Sequence, residues 1–232
     1  MRRSIAPLLA VVLVAGHAFA FTVHDDFGVS PTPLTVAVTC PGCNYPVTCG
    51  PVEEAVASVV GGYREMFLTV NAGTCPRVAN GCVSPSLAEL TYSNDVTVSS
   101  QLDLVYDGPG GVGLGGVDIA AEKFFNIKVL ALNTAVDWTV TVTDLSSGMS
   151  TGTMQIPNMS LDVWATMSYA SMTGTADFTQ IDSIVCSFAS TSTNFASDGR
   201  FDSFGTGIIP EPATLSLLGL GVLALAHRRR RK

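Results

Sequence analysis

The stretch Trp138-Thr139-Val140-Thr141-Val142-Thr143 alternates large or branched apolar side chains with threonine, without a break. Side chains alternate across the pleat of a β-strand, so this pattern places the three threonines on one face and the tryptophan and two valines on the other. An apolar face needs a core, whereas a threonine face tolerates water. The stretch therefore predicts a strand in a sheet that is buried on one side.

Comparable runs rich in Val, Thr, Tyr and Phe occur on both sides of this stretch, separated by Gly, Asn, Asp and Pro. No convincing amphipathic helix lies between them, which favours an all-β fold, an antiparallel, jelly-roll-like β-sandwich. The main sandwich is predicted at residues 52–207, and the Cys- and Pro-rich residues 21–51 are predicted to add one strand and a disulfide-tied loop. Strands are predicted at 56–60, 66–70, 89–92, 96–105, 124–130, 137–143, 151–156, 161–169, 181–188 and 201–208.

The amino end has the three parts of a secretory signal peptide. Met1-Arg2-Arg3 is basic, residues 5–15 are apolar but too few to span a bilayer, and Ala18-Phe19-Ala20 has the small-x-small pattern of a cleavage site. We predict a signal peptide at residues 1–20, handled by the secretory translocon and signal peptidase, with a mature start at Phe21. The twin-arginine route and an uncleaved membrane anchor are the alternatives.

The carboxyl end combines Pro210-Glu211-Pro212, an uncharged segment at 213–226 and the basic cluster Arg228-Arg229-Arg230-Arg231-Lys232. A helix of fourteen residues is about 21 Å long, whereas the hydrocarbon core of a bilayer is about 30 Å thick. The membrane span must therefore include neighbouring residues or act as a transient anchor. The basic cluster is expected to hold its end in the cytoplasm. Residues 21 to about 209 would then lie outside, and a permanent tail anchor is the alternative.

This carboxyl-terminal arrangement at residues 208–232 resembles the PEP-CTERM sorting signal of Gram-negative bacteria. The resemblance implies recognition by an exosortase, cleavage near Pro210, Glu211 and Pro212 as substrate residues, and transfer to the cell surface or an exopolysaccharide matrix. A looser resemblance, to the β-sandwich ectodomain of many PEP-CTERM proteins, covers about residues 52–190. It rests on Val59-Val60-Gly61-Gly62-Tyr63-Arg64, Leu104-Val105-Tyr106-Asp107-Gly108, Leu114-Gly115-Gly116-Val117-Asp118 and Phe178-Thr179-Gln180-Ile181-Asp182-Ser183-Ile184.

Composition limits the chain to one mid-sized exported domain. It has 232 residues, 13% of them charged, and a mean hydropathy of +0.39, raised by its two apolar ends. Without the signal peptide and the terminal basic cluster, residues 21–209 keep five Lys and Arg against 18 Asp and Glu, a net charge of −13. That charge argues against a nucleic-acid partner, because nucleic-acid affinity rests on basic side chains that neutralise phosphates.

Six cysteines in an exported chain are expected to pair as structural disulfides. The candidates, for which fifteen connectivities are possible, are Cys40, Cys43, Cys49, Cys75, Cys82 and Cys186. A loop closed by Cys75 and Cys82 around Asn80-Gly81, and a bond from Cys186 to the 40–49 cluster, are two possibilities. The C-x-x-C pair at 40–43 alternatively suggests redox or zinc chemistry, but no helix start follows it.

Catalytic signatures are sparse, and we predict that the chain is not an enzyme. His24 is the one histidine of the predicted mature domain, which leaves too few imidazoles for a multi-histidine zinc hydrolase. The string Gly111-Val112-Gly113-Leu114-Gly115-Gly116 satisfies G-x-G-x-x-G but lacks the following helix of a nucleotide site, so a flexible loop is expected. No cofactor is predicted.

Two weaker site predictions remain. Carboxylates in Gly-rich loops suit calcium, and Asp107 and Asp118 are the candidates, with turn-forming aspartate as the alternative. Aromatic faces pack on sugar rings, and an exposed pair beside an acidic loop would indicate such a platform; most of the candidates are expected in the core. They are Tyr63, Tyr92, Tyr106, Trp138, Trp164 and Tyr169.

The predicted function is that of an exported, exosortase-processed protein with a structural or adhesive role in exopolysaccharide or biofilm. The first alternative is a lectin-like, possibly calcium-dependent carbohydrate-binding module. The second is an extracellular hydrolase, which requires two carboxylates roughly 5–10 Å apart in a cleft. The predicted location passes from an inner-membrane intermediate, held by the C-terminal segment, to the cell surface or matrix.

Overall fold

The structure, a computed structural model, describes residues 22–28, 33–39, 45–73, 78–84, 86–159, 162–190 and 196–207. The predicted signal peptide and sorting segment lie outside these ranges. Within them no helix is long and apolar enough to cross a membrane. Regular structure in these ranges is β-strand with three short 3₁₀ turns. The strands are β1 (Thr22–Asp25), β2 (Leu34–Thr39), β3 (Val47–Ala55), β4 (Tyr63–Ala72), β5 (Val78–Ser84), β6 (Glu89–Asn94), β7 (Ser99–Tyr106), β8 (Phe124–Leu132), β9 (Val136–Asp144), β10 (Met149–Ile156), β11 (Val163–Ser168), β12 (Thr173–Gly174), β13 (Ile181–Ser190) and β14 (Asp198–Thr206).

These strands form two seven-stranded antiparallel sheets. Sheet A has the order β11-β8-β14-β6-β5-β2, and sheet B has the order β12-β10-β9-β13-β7-β4-β3. Strand β1 belongs to sheet A but lies off this order, because it pairs with the last residues of β14 beyond the part that β6 covers. The predicted antiparallel β-sandwich is thus confirmed.

The two sheets enclose the core with their alternating apolar faces. In β9 every second residue from Val136 is buried, Trp138 completely, while Thr139, Thr141 and Thr143 face outward as the sequence predicts. Aromatic rings fill the space between the sheets: Phe188 of sheet B stacks on Phe201 of sheet A with centroids 4.3 Å apart. Burial of such side chains, about 1.5–3 kcal/mol each, is the main force holding the sheets together.

Three local predictions are wrong. Residues 56–60 form a turn and not a strand, with the 3₁₀ turn Val60–Gly62 leading into β4. Residues 21–51 were predicted to hold one strand and a disulfide-tied loop, but in addition to β1 they contain β2 and the first half of β3. Asn80-Gly81 lies in the middle of β5 and not in a turn, and the strand packs so closely on sheet B that an added Cβ at Gly81 would meet the Leu102 side chain.

One end of the sandwich, which we call the apex, carries both chain ends of the described domain. Thr22 at the start of β1 pairs with Thr206 at the end of β14, and the antiparallel registers place the turns at 56–62, 107–123, 145–148 and 169–180 at this end. The opposite end, the base, carries the turns at 95–98 and 133–135. Thr22 and Thr206, at the two ends of the described domain, therefore lie side by side.

Candidate functional site

The outward face of sheet A carries an exposed tryptophan among charged side chains. Trp164 of β11 is 41% exposed and lies directly across from Lys128 of β8. It is the one aromatic side chain in the described ranges that is more than a third exposed. A flat apolar ring held on a rigid sheet offers a stacking surface for the apolar face of a sugar ring.

Two groups of ion pairs fix the polar side chains beside this ring. The Lys128 ammonium lies 2.6 Å from Asp202 and 3.3 Å from Asp162, a carboxylate on the segment leading into β11. Further along the same face, Arg200 donates two hydrogen bonds to Glu89, from Nε at 2.7 Å and from Nη2 at 2.6 Å. Because these contacts hold the side chains in place, they form a preorganised set of hydrogen-bonding groups.

The remaining aromatic candidates do not join Trp164. Tyr92, Tyr106 and Trp138 are fully buried in the core. Tyr169 is half-buried and stacks on Phe178 with ring centroids 4.5 Å apart. The structure therefore gives a single exposed ring and not the exposed aromatic pair that would have marked a stacking platform by itself.

The outward face of sheet B carries carboxylates without a basic partner among the described residues. Glu53 of β3 lies directly opposite Glu65 of β4, and Asp107 follows the end of the next strand, β7. Burial and then the negative charges of Asp107 and Glu53 raise the pKa of Glu65. Burial is also the first cause of the raised pKa of Asp107, with Glu53 and Asp182 adding to it. Sequence reasoning missed Glu53 and Glu65, because only the register of β3 and β4 shows that they are neighbours.

The two calcium candidates have different surroundings. Asp118 is exposed, and its Oδ1 accepts a hydrogen bond from the Ala120 backbone at 3.0 Å, the contact of a turn-forming aspartate. Asp107 has one buried carboxylate oxygen without a hydrogen-bond partner, and its backbone oxygen accepts from Gly113. In the described part of the chain no three His, Cys, Asp or Glu side chains are arranged to hold a metal ion. Calcium binding at Asp107 and Asp118 stays a prediction.

For Cys186 the disulfide prediction is wrong. Its thiol is free and fully buried in β13, and its Sγ accepts a hydrogen bond from the Trp138 indole at 3.2 Å. Strands β7 and β4 separate it from Cys49 on β3, a distance of about 14 Å at the usual strand spacing. A disulfide needs Cα atoms less than about 7 Å apart, so these two cannot pair.

The other cysteines are only partly described. Cys49 and Cys82 carry free thiols in the structure and are half-buried on different sheets, and Cys82 accepts a weak hydrogen bond from Thr35 at 3.4 Å. Cys40, Cys43 and Cys75 lie outside the described residues, so the pairing of the five cysteines other than Cys186 stays a prediction. The cleavage-site residues Ala18 and Ala20 and the motif Pro210-Glu211-Pro212 also lie outside them.

The Gly-rich string is a loop. Gly111, Gly113, Gly115 and Gly116 all have positive φ angles, and an added Cβ at Gly113 would collide with the Asp182 carboxylate. No α-helix follows within the described residues, which confirms the expected loop. These glycines allow the apical loop to adopt positive φ angles.

Several solved structures resemble the chain at low sequence identity. A family 11 carbohydrate-binding module from Clostridium thermocellum, in complex with a β-1,3-1,4-mixed-linked tetrasaccharide, is 13% identical with a TM-score of 0.39; the match covers 82% of this chain and 98% of that one. A solution structure named CtCBM11 is 11% identical with a TM-score of 0.43, over 84% and 99% of the two chains. An exo-β-agarase is 8% identical with a TM-score of 0.38, and the match covers 83% of this chain.

The chain spans 25% of the length of that agarase and 23% of the length of a structure named PfGH50B. No curated protein matches it. The model of the PEP-CTERM protein-sorting motif matches residues 209–232, which include Pro210, Glu211, Pro212 and the basic cluster. The motif implies export, exosortase targeting and membrane-associated sorting through the carboxyl terminus. The chain is a PEP-CTERM sorting domain-containing protein.

Proposed function

We propose that the mature domain is an adhesive component of the cell surface or extracellular matrix that binds polysaccharide through the outward face of sheet A. The main support for this proposal is the exposure of Trp164, which is 41% exposed and lies beside side chains that ion pairs hold in place. An apolar ring beside fixed carboxylates suits a pyranose, which presents an apolar face and a rim of hydroxyl groups. The domain would act by binding and not by turnover.

The polysaccharide of the producing organism, incubated with residues 21–209, tests this proposal by co-sedimentation. Trp164→Ala should weaken binding about fivefold, since an aromatic stacking contact contributes about 1 kcal/mol. Met149→Ala is the matched control, because Met149 is 54% exposed but lies on β10 of the other sheet. Equal affinities for the two variants would overturn the proposed site.

The same binding measurement with a chelator distinguishes this site from a calcium-dependent one. Trp164 faces outward from sheet A, whereas Asp107 and Asp118 lie in the 107–123 loop at the apex. Binding at Trp164 should therefore be unchanged when EDTA replaces Ca²⁺. Binding that EDTA abolishes would instead support the calcium-dependent lectin alternative at the apical loop.

The hydrolase alternative has one observation in its favour. Glu65 and Asp107 are neighbouring carboxyl groups, and burial raises the pKa of each, the direction that a general acid requires. Release of reducing ends from the bound polysaccharide, lost in Glu65→Gln and in Asp107→Asn, would establish hydrolysis. Binding without release of reducing ends would support the adhesive role.

A further inference from the structure

The apex concentrates the exposed apolar side chains of the domain. Six large apolar side chains in the described ranges are more than 40% exposed, and three of them lie on apical turns or beside one. These three, which we call the apical tips, are Val112 at 77%, Leu145 at 52% and Met149 at 54%. The other three are Leu87, on the turn at 86–88 level with the middle of β14, Val96, on a turn at the base, and Trp164, on the side of sheet A.

The three apical tips belong to turns that pack on one another. The Leu145 backbone donates to the Gln180 oxygen at 3.0 Å, and an added Cβ at Gly116 would lie 2.9 Å from the Leu145 side chain. The Met149 oxygen accepts from the Thr175 backbone at 2.8 Å. Val112 belongs to the same 107–123 loop as Gly116. The turns that carry the apical tips are thus joined to one another by contacts and are not independent loops.

Both membrane-directed segments leave the domain from this end. Thr22 lies two residues after Ala20, and Gly207 lies six residues before Ala213, where the apolar segment of the sorting signal begins. Six residues reach at most about 20 Å when fully extended. While the sorting segment is in the bilayer, the short linker therefore keeps the apex close to the lipid surface.

We propose that the apex is a lipid-facing surface, and that the apical tips contact the bilayer while the protein waits for cleavage at its sorting motif. Burial of apolar side chains in the interfacial region stabilises such contacts. The apex also carries the exposed carboxylates Asp118 and Asp177, with Lys123 as the one exposed basic side chain described there. Zwitterionic lipid is therefore the favoured partner, because anionic headgroups would repel these carboxylates. The proposal does not depend on polysaccharide binding.

A tryptophan placed at either end of the domain tests this orientation. The full chain is reconstituted in phosphatidylcholine vesicles that contain brominated lipid, with Val112→Trp at the apex and Val96→Trp at the base as the matched control. Both positions are exposed turn residues, and Trp138 and Trp164 give the same background in each variant. Leu145→Trp serves as a second apical probe if Val112→Trp fails to fold.

The apical tryptophan should be quenched by the brominated lipid at least twice as strongly as the basal one, and should be the better protected from aqueous iodide. Replacing a third of the lipid with phosphatidylglycerol should weaken the apical quenching. Equal quenching at the two ends, or apical quenching that rises with anionic lipid, would overturn the proposal.

Discussion

The Arg64 guanidinium of sheet B lies 2.6 Å from the Asp25 carboxylate of sheet A, and both side chains are almost completely buried. Glu54 accepts a second bond from Arg64 at 2.7 Å, and the Tyr106 hydroxyl donates to Asp25 at 3.0 Å. These contacts attach the four-residue strand β1 to the opposite sheet. A buried pair of this kind adds little by itself, but removing Asp25 would leave the buried Arg64 charge with Glu54 as its remaining carboxylate partner.

Asp25→Asn should therefore lower the free energy of unfolding by about 1–3 kcal/mol, because Arg64 would lose its closest partner and keep the ion pair with Glu54. Asp162→Asn is the control, since Asp162 is 58% exposed and its ion pair with Lys128 is expected to contribute less than about 1 kcal/mol. Urea denaturation of residues 21–209 measures both variants. Similar losses in the two would contradict the structural role of the buried pair.

His24 makes the stability of the domain depend on pH. Burial lowers its pKa from 6.5 to about 4, and its Nε2 lies 3.0 Å from the Thr206 hydroxyl. Between pH 6.5 and 4 the unfolded chain binds a proton that the folded domain does not, so stability falls as the pH falls through this window. The full effect, reached below pH 4, is about 3 kcal/mol.

His24→Gln should remove this contribution while the titration of the carboxylates continues. The difference between wild-type and His24→Gln unfolding free energies, measured at several pH values from 7 to 4, isolates the histidine. A difference that does not change with pH would show that His24 titrates alike in the folded and unfolded states.

Gly81 is predicted to tolerate no side chain. An added Cβ would meet both terminal carbons of Leu102, so Gly81→Ala should cost about 1–3 kcal/mol through overpacking between the sheets. Asn80→Ala changes the neighbouring exposed residue of the same strand and should cost less than about 0.5 kcal/mol. Thermal unfolding compares the two, and a neutral Gly81→Ala would contradict the close approach of β5 and β7.

The Cys186 thiol should not react in the folded protein. Burial raises its pKa well above the usual range, and the reactive species of cysteine is the thiolate. Iodoacetamide treatment followed by peptide mass spectrometry should leave Cys186 unmodified in native buffer and modify it in denaturant. A disulfide-linked peptide that contains Cys186 would refute its placement in the core.

The sequence predicted those strands whose two faces differ in polarity. In β9 each threonine is preceded by a large apolar residue, so the pattern alone determines which face is buried. Strand β5 escaped prediction because Val78-Ala-Asn-Gly-Cys-Val-Ser contains an Asn-Gly pair, the strongest local turn signal, and a tertiary contact overrides it. Local propensity depends only on residues that are close in sequence and does not include contacts between the two sheets.

The candidate site was predictable only in part. Trp164 was one of six aromatic candidates, and its exposure follows from its place on the edge strand β11, which pairs with β8 alone. Lys128, Asp202 and Arg200 could not be assigned to it, because they come from strands whose register the sequence does not encode locally. The motif at residues 209–232, by contrast, was readable in full because sorting signals are contiguous in the chain.

Tryptophan fluorescence during titration with polysaccharide tests the central claim most directly. Trp138 is fully buried and Trp164 is 41% exposed, so a ligand that stacks on sheet A changes the emission of Trp164 alone. We expect a saturable blue shift in residues 21–209 that is absent in Trp164→Phe. Saturable binding by co-sedimentation with no change in Trp164 emission would contradict the proposed site.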